Sequence, residues 1–129
     1  MSIKIVVDTS ILIDHLRGGK IWENFTNIHK GEDIKLLTPT IVVFELFSGQ
    51  SSKEIKIRRR MNKLLENLQL IELDAKIARK AGEIFRDSSK TFEVPDYIVA
   101  AVALLKKAKV LTLNQKDFQE ITGLKLEKI

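Results

Sequence analysis

The chain has 129 residues, is 44% hydrophobic and 30% charged, and carries 22 Lys+Arg against 17 Asp+Glu for a formal charge of +5. That size and balance describe one domain over residues 1–129, with enough apolar residues for a core and enough charge for solubility. The absence of cysteine excludes a disulfide framework, a thiolate zinc site and a thiol nucleophile; no apolar run approaches the ~18 residues of a membrane span and no secretory leader is visible, so a cytoplasmic protein is expected.

Ile3 to Val7 is β-branched and almost wholly apolar, which predicts a strand covered on both faces. It stops at Asp8-Thr9-Ser10, residue types that favour helix starts. A helical segment follows with Ile11, Leu12, Leu16 and Trp22 as inward positions, broken in two by Gly18-Gly19 and closed by Gly31-Glu32-Asp33. Leu36-Leu37 predicts a short second strand, and Thr38-Pro39-Thr40 a turn and helix start. The helix from Ile41 to about Gly49 is strongly apolar and carries one acid, Glu45. After the Gln50-Ser51-Ser52 loop, Lys53 to Leu68 keeps helical spacing in its apolar stripe of Ile57, Met61, Leu64, Leu65 and Leu68. Its other face is basic: Lys53, Lys56, Arg58, Arg59, Arg60 and Lys63.

Leu70 to Leu73 predicts a third strand. Asp74 caps a helix from Ala75 to about Arg86, with Ile77, Ala78, Ala81 and Phe85 inward. A polar loop from Asp87 to Glu93 leads to Pro95 in a first helical turn, and the helix from Asp96 to Lys107 is apolar beyond its start. Val110 to Leu113 is the fourth strand, Asn114 to Glu120 a helical turn, and Leu124-Lys125-Leu126 a final edge strand. Short apolar strands alternating with helices predict an α/β fold: a three-layer α/β/α sandwich around a short parallel sheet of about five strands.

In such a sheet, ligands bind beyond the carboxyl ends of the strands. Asp8, Glu45, Asp96 and Asp117 all follow strands or open helices at that edge. Each has an ordinary account: a helix cap for Asp8, a first-turn acid favoured by the helix dipole for Asp96, a surface residue for Asp117, and a Lys or Arg pair for Glu45. Glu45 presses hardest, because a carboxylate within Ile-Val-Val-Phe-Glu-Leu-Phe is costly to desolvate. Four carboxylates at one edge are tolerable if some hold protons or if a divalent cation sits among them. An all-oxygen set without Cys or His points to Mg²⁺ or Mn²⁺ and to phosphodiester chemistry.

Four blocks carry a resemblance. They are Val7-Asp8-Thr9-Ser10-Ile11-Leu12-Ile13-Asp14, Glu45-Leu46-Phe47-Ser48-Gly49, Asp96-Tyr97-Ile98-Val99-Ala100-Ala101 and Thr112-Leu113-Asn114-Gln115-Lys116-Asp117-Phe118. In type, order and placement they resemble the PIN-domain ribonucleases, specifically the VapC-like toxins of type II toxin–antitoxin pairs. Val99 stands where the family usually has Ile. The resemblance covers the chain end to end. It implies a metal-dependent endoribonuclease with Asp8, Glu45, Asp96 and Asp117 as the metal-binding acids. Thr9, Ser10 and Thr112 would support the site, and Asn114 would either support it or cap the turn. It also implies an RNA substrate, a protein antitoxin held by the helices around and after Glu45, and a homodimer.

Arg17, Lys20, Lys116 and the basic 53–63 helix are candidates for holding RNA, a solvated face being the first reading of the helix. Trp22, Phe25 and Phe47 are either an exposed docking surface for the partner or core. Asp14, about one and a half turns past Asp8, reads as a surface or salt-bridging residue, and His15 and His29 as packing or surface residues. Three rivals remain. A phosphoaspartate enzyme of the Asp-x-Asp type lacks its second acid, since Ser10 stands there. A metal-free PIN-like scaffold leaves the buried Glu45 without a cause. An RNA-processing PIN nuclease without an antitoxin differs from the toxin only in its biology.

Overall fold

Valine, isoleucine and leucine fill the middle of the sheet, and the site is built where those runs end. The computed structural model describes residues 2–88 and 92–129. In chain order it contains β1 (Ile3–Val7), α1 (Thr9–Leu16), α2 (Ile21–Ile28), β2 (Ile34–Pro39) and α3 (Thr40–Ser48). A 3-10 turn (Gln50–Lys53) leads to α4 (Ile55–Glu66), then β3 (Gln69–Ile71), α5 (Ala75–Asp87), α6 (Val94–Lys106), β4 (Lys109–Leu111) and α7 (Gln115–Phe118). The polar loop expected from Asp87 to Glu93 includes residues 89–91, which lie outside the described residues.

The strands run in the order β3-β2-β1-β4, all parallel, so β1 lies inside the sheet. Its register pairs Ile5 with Leu36 and Lys109, and Val6 with Leu37 and Val110. Ile5, Val6 and Val7 are fully buried, as a strand with neighbours and helices on every side requires. On one face α6 packs against β1, β2 and β4 with α5 outside it; on the other, α1 packs against α2, α3 and α4. The three-layer α/β/α sandwich is thus as expected. All of α6 from Tyr97 to Ala103 is buried, which explains its unbroken apolar sequence.

The strand count differs. Leu124 to Leu126 does not form a fifth strand; Leu126 makes a single parallel bridge to Val110. That bridge is held by Val110 N–H donating to Lys125 O (2.9 Å) and Glu127 N–H donating to Val110 O (2.9 Å). β4 is itself only three residues long and gives the last segment little edge to follow. β2 runs on through Thr38-Pro39 rather than turning there. Pro39 lacks only an N–H, which a strand's last residue can spare. Trp22 and Phe25 belong to the core, 7% and 6% exposed, whereas Phe44 and Phe85 are exposed at 66% and 62%. The inward placement expected of Ala78 and Phe85 therefore fails: α5 buries only Ile77 and Ala81, and Phe85 at its end meets Tyr97 edge-on at 5.3 Å.

The Gly18-Gly19 break falls as expected: α1 ends at Leu16, and Gly18 takes a positive φ of 92° that favours glycine. Asp74 caps α5, its Oδ1 accepting from Ile77 N–H at 2.8 Å. On α4 the basic face is exposed except in function: Arg60 donates to the backbone oxygens of Leu16 (3.2 Å) and His15 (3.4 Å), so it closes the end of α1. Among the described residues, no helix is long and apolar enough to cross a membrane.

Candidate active site

β1 delivers Asp8 to the sheet edge in extended conformation, φ −80° and ψ 155°. The residue occupies the N-cap position of α1, yet its side chain makes no capping bond. The carboxylate is instead held from across the sheet. Its Oδ2 accepts from Thr112 Oγ1 at 2.7 Å and from Ser10 Oγ at 2.9 Å. Thr112 is fully buried just after β4, and Asp8 is 4% exposed. Ser10 is fixed in turn by Leu113 N–H (3.0 Å), and Thr112 Oγ1 accepts from Asn114 N–H (3.0 Å). The end of β4 and the start of α1 are thus laced together around one carboxylate oxygen, which settles the helix-cap account of Asp8 against capping.

Glu45 arrives on α3, the helix that touches both α1 and α6. Thr9 Oγ1 donates to Glu45 Oε1 at 2.6 Å. Burial pushes the Glu45 carboxyl up; the Thr9 bond opposes that, and the charge of Asp8 adds to it. Asp96 arrives at the start of α6. Its Oδ2 accepts from Glu93 N–H (3.2 Å) in a capping box whose other half is the Glu93 side chain on the Asp96 backbone. Burial raises its carboxyl to about 6, helped by the charges of Asp8 and, to a lesser degree, Glu45. Asp8, Glu45 and Asp96 therefore feel one another electrostatically, as the topology predicts.

Among the described residues, no Lys or Arg forms an ion pair with any of the three. The Lys or Arg pairing considered for Glu45 is thus not found among the described residues. Each carboxylate has one oxygen engaged by a protein donor, Asp8 Oδ2, Glu45 Oε1 and Asp96 Oδ2, while the other accepts no hydrogen bond from the described residues. Desolvated, mutually repelling acids with one free oxygen each fit a hard divalent cation. As the side chains stand, no three acids or histidines among the described residues form a finished metal cage. A cation held by these three acids would need their free oxygens turned toward one another.

The second half of the expected set divides. Asp117 is exposed on α7 and takes no part in the coupling that joins the other three acids. Asn114 stands at the N-cap position of α7 without a side-chain capping bond, and serves through its backbone N–H on Thr112. Two residues escaped sequence reasoning. Thr38, read there as part of a turn, is fully buried and donates to Val7 O at 2.8 Å, pinning the strand end just before Asp8. Glu93 completes the capping box that fixes Asp96; its signal was legible as an acid three residues before another at a helix start.

A family model described as the PIN domain matches residues 5–124. The chain belongs to the PIN-domain family. Among similar proteins, Ribonuclease VapC10 of Mycobacterium tuberculosis is 30% identical to this PIN-domain chain over 124 residues, 94% of this chain and 90% of the relative. Ribonuclease VapC1 of Methanocaldococcus jannaschii is 29% identical over 128 residues, 95% and 86% of the two chains. Among solved structures, VapBC2 from Rickettsia felis, bound to a DNA fragment from its promoter, matches with a TM-score of 0.80 at 22% identity, over 97% of this chain and 98% of that one. The last likeness is one of fold, and it extends the PIN-domain match through the whole sandwich.

Proposed function

We propose that the chain is a Mg²⁺- or Mn²⁺-dependent endoribonuclease, one nuclease domain over residues 1–129, acting in the cytoplasm as the toxin of a toxin–antitoxin pair. The observation that carries this reading is the group of Asp8, Glu45 and Asp96: three coupled acids, positioned by hydroxyls and a helix start, with no cationic side chain among the described residues paired to them. Similarity to VapC ribonucleases along nearly the whole chain supports RNA as substrate, and the VapBC fold supports a protein antitoxin as partner.

The proposed roles follow from what holds each group. Asp8 is the central ligand, its orientation set by Ser10 and Thr112. Glu45 is the second, aimed by Thr9. Asp96 is the third; with a carboxyl near 6 it releases its proton close to neutral pH and so becomes available to a cation there. Asp117, on the helix that directly follows the Thr112–Asn114 crossing, is proposed as an outer fourth acid. When bound, the cation supplies charge neutralisation at the scissile phosphate and activation of the attacking water. Arg17, Lys20 and Lys116, all exposed, hold flanking phosphates.

For the antitoxin, the apolar surface lies on Phe44 and Ile55, 66% and 57% exposed, rather than on the buried Trp22 and Phe25. These residues stand on α3 and at the start of α4, where an amphipathic partner segment gains apolar contact. Pairing into a homodimer completes the proposal and is checked by light scattering of the purified protein.

The test is purified protein on defined RNAs with Mg²⁺ or Mn²⁺ and with EDTA, alongside Asp8→Asn and Asp96→Asn. Metal-dependent cleavage lost in both variants is expected. Cleavage that survives EDTA, or variants as active as the parent, refutes the carboxylate–cation mechanism. Growth arrest on expression, abolished by Asp8→Asn, tests the toxin role separately.

A further inference from the structure

Next to the acidic cluster lies a second concavity, of whose lining the proposed function uses only Ser10 and Arg17. It is a groove of about 610 Å³ lined by Ser10, Ile13, Asp14, Arg17, Gly19 and Leu113 among others, a size suited to a small ligand. It shares a wall with the site. Ser10 bonds Asp8 Oδ2 at 2.9 Å, and Leu113 N–H bonds Ser10 Oγ at 3.0 Å. A strand of RNA with a phosphate at Asp8 therefore has a neighbouring nucleotide within reach of this groove.

Its polar groups are mismatched to a structural role. Of the surface or salt-bridging role read for Asp14 from the sequence, the salt bridge is absent among the described residues, and the side chain is half-buried in the groove wall. Its Oδ2 is buried without a hydrogen-bond partner among the described residues. Such an oxygen carries an unrecovered desolvation cost, and because Asp14 lines the groove its carboxylate recovers that cost by turning toward a donor held there. Asp14 also lies so close against Gly19 that a Cβ there would collide with its carboxylate. Glycine at 19 thus leaves room for this placement. One turn on, Arg17 is exposed and makes no ion pair among the described residues. Ile13 and Leu113, the latter 38% exposed, add apolar surface.

A ligand that offers an N–H donor to a carboxylate, an anionic phosphate to a guanidinium and a flat apolar face between them is a nucleotide. We infer that this groove is a base-reading subsite for the nucleotide beside the scissile phosphate, with Asp14 accepting from an amino-bearing base (adenine, cytosine or guanine) and Arg17 holding its phosphate. The inference rests on the ribonuclease reading for its ligand, and its distinct content is that Asp14 sets base preference. Uracil has no amino group; its one donor on that edge, N3–H, stands between two carbonyl oxygens that the carboxylate repels, so uracil is disfavoured.

The experiment separates the two claims. Binding of fluorescent RNA hexamers of each single base is measured by anisotropy in EDTA, where no metal-dependent cleavage occurs, for the parent, Asp14→Asn, Gly19→Ala and Arg17→Ala. Circular dichroism and thermal melts confirm that each variant is folded. The parent should bind at least one amino-bearing hexamer about tenfold more tightly than the uridine hexamer, the size of one good base-edge contact. Asp14→Asn, whose amide donates to uracil oxygens, should narrow or invert the ranking, and Gly19→Ala should blunt it by displacing Asp14. Arg17→Ala should weaken all four alike and flatten the salt dependence. Equal affinity of the parent for all four bases, or an unchanged ranking in folded Asp14→Asn, overturns the subsite. Cleavage of mixed RNAs in Mg²⁺ is read in parallel: a parent that ranks the bases but cuts nothing keeps the subsite and removes the nuclease reading.

Discussion

Thr112→Val tests the lacing around Asp8 with little change of side-chain shape. The substitution deletes one hydroxyl that does three things: it donates to Asp8 Oδ2 at 2.7 Å, lies 3.3 Å from Ser10 Oγ, and accepts from Asn114 N–H at 3.0 Å. A hydrogen bond to an ionised carboxylate inside a fully buried site contributes about 1.5–3 kcal/mol. The Asn114 N–H, on an exposed residue, regains a partner from water and adds little. A loss of about 2 kcal/mol is therefore expected, or about 6 °C in Tm for a domain of this size. Asp8 is left with Ser10 alone, and loss of an orienting partner of this kind lowers metal affinity and cleavage by about 10–100-fold. Thr112→Ser keeps the hydroxyl and discards a methyl group, so it should lose some stability but retain most cleavage. Melting curves and RNA cleavage of the two variants decide the matter. A Thr112→Val protein with the parent's Tm and rate, or a Thr112→Ser protein as inactive as Thr112→Val, refutes the claim that this hydroxyl positions Asp8.

Asp96 gives a prediction in pH. Its carboxyl is raised from 3.8 to about 6 by burial first and by Asp8 second, so the folded protein binds its proton more tightly than the unfolded chain. In EDTA the parent should lose stability as pH rises from about 4 through 6, and Asp96→Asn, which cannot ionise, should be the more stable protein above pH 6 with the gain vanishing below about pH 4. Melts across that range check it. Mg²⁺ or Mn²⁺ should raise the parent's Tm, more strongly at pH 7 than at pH 5, because the cation competes with that proton; a hundredfold excess over Kd stabilises by about 2.7 kcal/mol. EDTA should reverse the shift and Asp8→Asn should abolish it. Arg60→Ala should cost about 1 kcal/mol by chemical denaturation, since Arg60 donates to two carbonyls at the end of α1.

Much of this architecture is written in short-range pattern. The apolar run Ile3–Val7, the helical stripe through Met61 and Leu64, and the Gly18-Gly19 break each rest on local periodicity or backbone freedom, and each stands where the sequence puts it. Three of the acids were legible for a topological reason: in a parallel sheet, positions after strands gather at one edge. Asp117 was readable by its block but not by position, since a short helix after a three-residue strand does not fix where its side chains face. Thr38 was opaque because its bond to Val7 O joins residues 31 apart. The final strand was overread for a similar reason: Leu124 and Leu126 have the alternation of a strand, and pattern does not reveal how much edge β4 leaves to pair with. Phe85 shows the opposite error, as a large apolar residue was assigned to the core by type alone.

The order in which the sheet is threaded has a consequence for synthesis. Asp8 lies near the beginning of the chain, yet the hydroxyl that holds it is 104 residues further on, and β1 gains its second neighbour only when residues 109–111 pair with it. A chain growing from its N-terminus can fold local helices early, but long-range pairing must wait for the distant segment. While β4 is missing, β1 is open along one side and Asp8 has only Ser10 to steady it. A half-made chain therefore has Asp8 unfixed: its carboxylate is laced in place only once the last strand pairs, and any activity that needs it held there is withheld until then.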